Sequence, residues 1–471
     1  VPRRSPLRAL CGALLLVACA ACSGGSGSAE EGGPGKPGAA GAGDPLFPSL
    51  GNGGYDVTHY GLTLDYLPDT GRLKATADIT ARATADLRSF NLDLDGLRVR
   101  EVSVDGLAAK VSRRGTELTV TPRSPLTKGR IFRTDIRYDG KPKTIHDADG
   151  SVEGWIRTDD GAVGLGEPSG SMTWFPANNH PSDKAAYDIS ITLPDDGKSA
   201  VSNGELTSRE VTGDHRTFSW HTSEPMASYL VTVAIGDFQV TDTTTEDGLP
   251  EYDAVDYDEV DKSDGVSDKV GRILGWETRL FGPYPFSTTG VIIDHNPSVD
   301  YALETQSRPY FHAAPGTPYL VHEFAHQWFG NSVTPRTWKD IWLNEGFATY
   351  AEWLWEEKSG GRDTDRIFQE MYRGKDPESE GIWAFPPGNP PSGAKVMDPP
   401  VYGRGAMVLH KLREAVGDDT FFDILRSWTA AHRHGTAETR DFIALSEQKS
   451  HRDLGKLFDV WLYQKGKPKA D

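Results

Sequence analysis

Two histidines and a glutamate stand in HEFAHQWFG, residues 322–330. On a helix His322 and His326 share one face, so both imidazoles can reach a single metal ion. Zinc favours such nitrogen donors, and a catalytic zinc takes three protein ligands and keeps one position open. Glu323 is one residue round from that face. Its carboxylate can reach a water at the ion without binding the ion itself, as a general base must. HExxH alone leaves a second reading open, an apolar helix that happens to carry these three residues. A third ligand decides between them. Glu345, in WLNEGFATY, is separated from His326 by eighteen residues and opens the next expected helix, which can fold back across the first. His322, His326 and Glu345 would give zinc two neutral ligands and one carboxylate. The remaining positive charge suits the ion to polarising a carbonyl and lowering the pKa of water toward about 7.

The elements that must position these residues follow a change of pattern along the 471 residues. The length suggests two or three domains. From about Tyr55 to residue 245, apolar and polar residues alternate, as in VTHYGLTLDYL, RLKATADITARATA and AAYDISITLP, with turns at PDTG and PDDG. That reads as an antiparallel sheet or sandwich. The acidic run EDGLPEYDAVDYDEVDKSDG, 246–265, lacks EF-hand spacing and reads as a solvated loop between domains. Helical periodicity then dominates. Thr317-Pro318 opens a helix expected to run to about Phe329 and stop at Gly330, and IWLNEGFATYAEWLWEEKSGG is a long second helix. Later pieces from GRGAMVLHKLREAVG onward read as a bundle, with their Trp and Phe in the core. His410, His432 and His434 show no partner at metal spacing. The expected fold class is α+β and multidomain, with a β domain over 50–248 and a mostly helical domain over 249–471.

The beginning of the chain reads as an address. VPRRSPLR is basic, and the apolar run ALCGALLLVA is shorter than the roughly 20 residues a membrane span takes. LVAC, 16–19, resembles the lipobox of bacterial lipoproteins, which makes Cys19 the expected lipidated residue; Cys22 in CAAC is a poorer second choice. Residues 1–22 are thus expected to be a signal peptide, and 23–49, rich in Gly, Ala, Ser and Pro, a flexible linker. The expected location is extracytoplasmic, lipid-anchored to the outer face of a bacterial cytoplasmic membrane. Cys11, Cys19 and Cys22 are the only cysteines, so the globular part has neither disulfides nor thiolate ligands. A net charge of −18 argues against nucleic acid as a partner. A monomer is expected.

HExxH, eighteen residues, then Glu within WLNEGFA resembles the aminopeptidase N family of gluzincin metallopeptidases. GEPSGSMTWFPANNHPSDKA (166–185), FGPYPF (281–286) and VYGRG (401–405) resemble that family's landmarks in the family's order. The resemblance covers nearly all of the chain after the linker. It implies an N-terminal β domain, a thermolysin-like catalytic domain, one zinc ion per chain and a zinc aminopeptidase acting on peptides. It also implies Glu323 as general base and Tyr402 as hydrogen-bond donor to the developing oxyanion. Glu304 in YALETQ and Glu167 in GEPSG match the carboxylates that hold a substrate's α-ammonium. Tyr301, Leu303 and Thr305 depart from the family's Gly-x-Met-Glu-Asn pattern, so the resemblance does not fix the shape of the first side-chain pocket. Glu352, two helical turns after Glu345, either accepts a hydrogen bond from a zinc-bound histidine or faces solvent. The helical domain with which large relatives cover the cleft is expected to be absent, leaving a more open cleft. Two other readings share these residues. A thermolysin-like endopeptidase needs neither Glu167 nor Glu304, and a non-catalytic peptide-binding lipoprotein does not need Glu323.

Overall fold

The computed structural model describes residues 35–147 and 150–469. The expected signal peptide, with Cys19 and Cys22, and the linker up to residue 34 lie outside the described residues.

Alternating burial builds the first part. In the strand Tyr55–Leu67, Tyr55 and Val57 are buried, and then Tyr60, Leu62, Leu64 and Tyr66. The buried set changes parity because pairing with Arg72–Ala83 shifts between Val57 and His59. An extra residue at such a bulge turns the rest of the strand over. Both strands belong to an eight-stranded sheet ordered 205–212, 215–227, 184–194, 55–67, 72–83, 131–140, 98–104 and 107–108. Its pairs are antiparallel except for 184–194 against 55–67, so the expected antiparallel sheet contains one parallel join. A five-stranded antiparallel sheet, ordered 144–146, 152–157, 162–165, 233–236 and 199–202, leads from Ala162–Leu165 into the loop of Glu167.

Two segments expected to be loose are ordered. The flexible linker does not extend over 36–49: Lys36–Pro37 pairs in parallel with Leu87–Asp93, and Asp44 is buried. One Asp44 oxygen accepts from the backbone N–H of Leu46 at 2.7 Å and of Phe47 at 3.0 Å. The other accepts from the N–H of Trp338 at 2.7 Å and lies 3.2 Å from His180 Nε2. The segment is held by a buried carboxylate, with Leu46 and Phe47 packed against the core and Phe47 edge-on to Trp338 at 5.7 Å, so its Gly- and Ala-rich composition concealed its order. The second lies around the boundary expected at 248, where the chain is built into a sheet. Phe238–Thr244 and Pro250–Asp256 form a hairpin within a second five-stranded sheet, with 292–293, 310–311 and 302–303. The acidic run is therefore no solvated loop: Glu251, Asp253, Asp256 and Glu259 are buried. Asp253 accepts from Val291 N at 3.0 Å and from the Ser267 hydroxyl.

The helices that follow include α1 (Val266–Phe281), α2 (Thr317–Ala325), α3 (Trp342–Lys358), α4 (Thr364–Arg373) and α5 (Gly405–Val416). α2 ends four residues earlier than expected, with His326 as its C-cap at φ −58° and ψ −26°. Gly330, at φ +123°, then turns the chain. A Cβ there would lie 3.0 Å from Asn344 Nδ2 of α3, so bulk is excluded as well as strained. Helices α3 and α5 meet backbone to backbone, since a Cβ on Gly346 would lie 2.8 Å from the carbonyl carbon of Gly405. This approach sets the π-helical turn Pro400–Arg404, which carries Tyr402, beside α3.

Asp44→Ala removes the acceptor of three backbone N–H groups and is expected to lower stability by about 2–4 kcal/mol in chemical denaturation. No loss would mean that 36–49 is a tether after all. Burial raises the Asp44 pKa, but hydrogen bonds from His180, Trp338, Leu46 and Phe47 outweigh it and hold the group below 3.8. The contribution is therefore complete above that unfolded value and is lost as pH falls through the folded pKa.

Candidate metal centre

Helix α2 presents His322 and His326 one turn apart, and the first turn of α3 brings Glu345 to them. Glu345 Oε2 is 3.4 Å from each Nε2. The three donor atoms lie within 4.8 Å of one another. Ligands about 2.0–2.1 Å from a tetrahedral zinc stand about 3.3–3.4 Å apart, so the spacing is that of a coordination shell.

The other ring nitrogens are engaged. His322 Nδ1 lies 2.7 Å from Glu352 Oε1, and His326 Nδ1 donates to the Phe329 carbonyl at 3.1 Å. Both bonds favour the tautomer protonated at Nδ1 and leave the Nε2 lone pairs directed at the common point. Of the two readings for Glu352, the contact with His322 is the one compatible with a carboxylate that would orient a ligand.

Glu167, Glu304 and Glu323 join Glu345 around the two imidazoles. Donor atoms of Glu304, Glu323 and His326 fall within 4.8 Å of one another, as do those of Glu167, Glu304 and Glu345. One carboxylate oxygen of Glu167 and one of Glu304 are buried and make no hydrogen bond. Burial lifts Glu167 far above the usual carboxylate range, with Glu304 and Glu345 adding to the rise. Burial lifts Glu304 as well, against the pull of His326. Burial pushes Glu323 up to about 8 although His322 and His326 oppose it. For Glu345 burial also acts upward, but His326 and His322 outweigh it and hold the group at about 2. Carboxylates so crowded and so short of positive charge call for cations. The donor set fits zinc, and it leaves Glu167 and Glu304 for a second cation.

Tyr402 stacks on His322, with ring centroids 6.2 Å apart at 21°, and its hydroxyl lies 3.6 Å from Met397 Sδ. Burial, reinforced by Glu345 and Glu167, raises its pKa far above 10, so the phenol remains a donor.

Several positioning residues carried no sequence signal that singled them out. Glu153 accepts from the N–H and hydroxyl of Ser169, at 2.8 and 2.6 Å, and from Gly170 N at 2.7 Å, fixing the loop after Glu167. It lies on Val152–Arg157, far from any motif. Gln327 and Asn331 both donate to the Glu304 carbonyl, at 3.4 and 2.6 Å; adjacency to HEFAH was the one available hint. The three departures from the family pattern make local contacts. Tyr301 donates to the Val152 carbonyl at 2.6 Å, Thr305 donates to that of Arg308 at 2.6 Å, and Leu303 is buried.

The profile described as Peptidase family M1 domain matches residues 316–461, and that described as Peptidase M1 N-terminal domain matches 56–230. An M1 zinc metallopeptidase from Deinococcus radiodurans superposes with a TM-score of 0.84 at 29% identity, over 91% of this chain and 98% of that one. A mutant M1 zinc metallopeptidase from the same organism, bound to a Tyr-Ser-Ala substrate, gives 0.83 at 29% identity, over 92% and 100%. Aminopeptidase M1 of Arabidopsis thaliana is 28% identical over 65% of this chain and 37% of its own length. Aminopeptidase 2 of Candida albicans is 24% identical over 87% and 47%. The chain thus spans less than half the length of these two relatives.

Glu352→Ala frees His322 Nδ1 and is expected to weaken zinc binding about 10- to 100-fold in chelator competition. Unchanged affinity would return Glu352 to the status of a helix-face residue.

Proposed function

The chain belongs to peptidase family M1, and we infer that it is a zinc aminopeptidase removing N-terminal residues from peptides. The observation that carries this reading is the pair of buried, unpartnered carboxylate oxygens on Glu167 and Glu304 beside His322, His326 and Glu345. A peptide's α-ammonium would meet both through charge-assisted hydrogen bonds, and a blocked N-terminus would not. Held there, the substrate has its first peptide bond beside the metal ligands. The Tyr-Ser-Ala complex of the bacterial relative supports a peptide substrate.

Zinc in this site supplies Lewis acidity toward the scissile carbonyl and the attacking water. Glu323 accepts the water's proton as its oxygen adds to the carbonyl carbon. It passes a proton to the nitrogen as the C–N bond breaks, which restores the carboxylate. Tyr402 donates to the carbonyl oxygen as negative charge develops there; such a donor is typically worth about 10² to 10³ in rate. Glu352 and the Phe329 carbonyl hold the two imidazoles in the ligating tautomer.

Matched peptides with free and acetylated N-termini test the reading. Hydrolysis of the free-amine series alone is expected. Glu304→Gln should lower kcat/KM for that series about 10- to 150-fold, the loss of a hydrogen bond to a charged group worth about 1.5–3 kcal/mol. Equal cleavage of acetylated peptides would make the protein an endopeptidase.

We further propose an extracytoplasmic enzyme anchored by lipid at Cys19. The basic start, the short apolar run and LVAC support this. Fatty-acid labelling of the expressed chain should disappear in Cys19→Ser. Persistence there with loss in Cys22→Ser would move the anchor to Cys22, and an unlabelled wild type would remove it.

A further inference from the structure

A second cluster of ligand-type side chains lies between α4 and α5. His410 and Glu414 are four residues apart on α5, and Asp365 is in the first turn of α4. This corrects the expectation that His410 has no partner at metal spacing: one partner is a carboxylate on the same helix face, and the other is 45 residues upstream. His410 Nε2 is 3.1 Å from Asp365 Oδ1 and 3.8 Å from Glu414 Oε1. One donor atom from each residue falls within 4.8 Å of the other two.

His410 is 1% exposed, yet its Nε2 makes no hydrogen bond. Asp365 is near enough but lies off the direction a ring N–H would use. The ring is fixed in that attitude. It stacks on Phe368, with centroids 4.9 Å apart at 26°, and Nδ1 lies 3.4 Å from the Tyr350 hydroxyl. Nε2 therefore faces a surface cavity of about 250 Å³. Further carboxylates of Glu357, Asp363 and Asp418 line it, against the Arg413 guanidinium. Arg413 is already engaged, with Asp418 at 2.8 and 2.9 Å and with Thr364 Oγ1 at 3.2 Å. Burial holds the imidazole in its neutral, ligating form despite the two acids.

We propose that Asp365, His410 and Glu414 form a second metal site, for a zinc-type divalent cation, that pins the start of α4 to α5. His410 Nε2 and Asp365 Oδ1, 3.1 Å apart without a hydrogen bond, stand near the roughly 3.3–3.4 Å of neighbouring ligands around an ion at about 2.0–2.1 Å, and Glu414 Oε1 at 3.8 Å is a small side-chain adjustment from it. Two carboxylates balance the dication, and an imidazole nitrogen selects against calcium and magnesium. Lys411 Nζ holds the other Glu414 oxygen at 2.6 Å, orienting Oε1 toward the cluster. The open cavity leaves the remaining positions to water, so the site fastens two helices and is separate from the peptidase centre.

The test counts metal and needs no turnover, so it stands or falls apart from the proposed activity. Chelator-treated full chain is titrated with Zn²⁺ in the presence of excess Ca²⁺, and bound zinc and melting temperature are followed together. Wild type should take up about two equivalents, the second raising the melting temperature. The double variant Asp365→Asn, Glu414→Gln alters exposed carboxylates only. It should take up about one equivalent, lose the second rise and keep its circular dichroism. A wild type that stops at one equivalent, or a double variant that retains the second, would overturn the proposal.

Discussion

Negative charge held out of water is the constraint on which the catalytic half of this molecule depends. Glu167, Glu304, Glu323 and Glu345 are gathered around two imidazoles. Burial alone pushes each carboxyl toward its neutral form. Such a cluster must be neutralised, either by protons on its carboxyls or by cations bound from outside the chain. One such cation is the metal that His322, His326 and Glu345 are spaced to hold. On the proposed function the other would be the charged N-terminus of a peptide, for which Glu167 and Glu304 have an unpartnered oxygen each. On that proposal recognition and chemistry would share one electrostatic deficit, tying cleavage to the first peptide bond.

Much of the surrounding fold exists to keep these acids where they are. Helix α2 ends early enough for Gly330 to pass close against Asn344 of α3. Lys184 donates to the carbonyls of Asn331 and Ser332 at 2.8 and 3.0 Å, fastening the β domain to the chain that leaves α2. Arg308 is fully buried and spans the same join, donating to carbonyls of Ser202, Gly204 and Tyr252. On the far side, Arg404 closes the π-helical turn that carries Tyr402, donating to Trp461 O at 2.8 Å and Gln464 O at 2.6 Å. A π-turn shifts side-chain phase within a helix, which is how Tyr402 faces His322 while α5 packs against α3. The loop that departs from the family pattern around Glu304 keeps its acid in place by its own bonds, through Tyr301 and Thr305.

The zinc ligands, the base and the division into a β part and a helical part were legible in the chain. Each rests on local periodicity: two histidines four apart, a carboxylate at the head of the next amphipathic helix, and strands alternating every second residue. Tyr402, Glu304 and Glu167 stood out only through resemblance, because a lone tyrosine or glutamate has no periodic signature. Where local pattern misled, a long-range polar contact was responsible. Residues 36–49 read as a tether, yet the Asp44 carboxylate binds Trp338 and His180 from distant parts of the chain. The run 246–265 read as solvated, yet Asp253 and Glu259 are buried and accept from the backbone N–H groups of Val291 and Ala314.

By itself, then, the sequence determined the candidate chemistry: which side chains can ligate or abstract a proton, and on which kind of element each rides. Tertiary structure alone decided their company. It placed Glu352 on His322, Glu153 under the loop of Glu167, Gln327 and Asn331 on the Glu304 carbonyl, and Asp365 opposite His410. The physical reason is that periodicity reports how one element faces its surroundings. Which donor meets which buried acid depends on distances between elements, and those are set only when the helices and sheets pack.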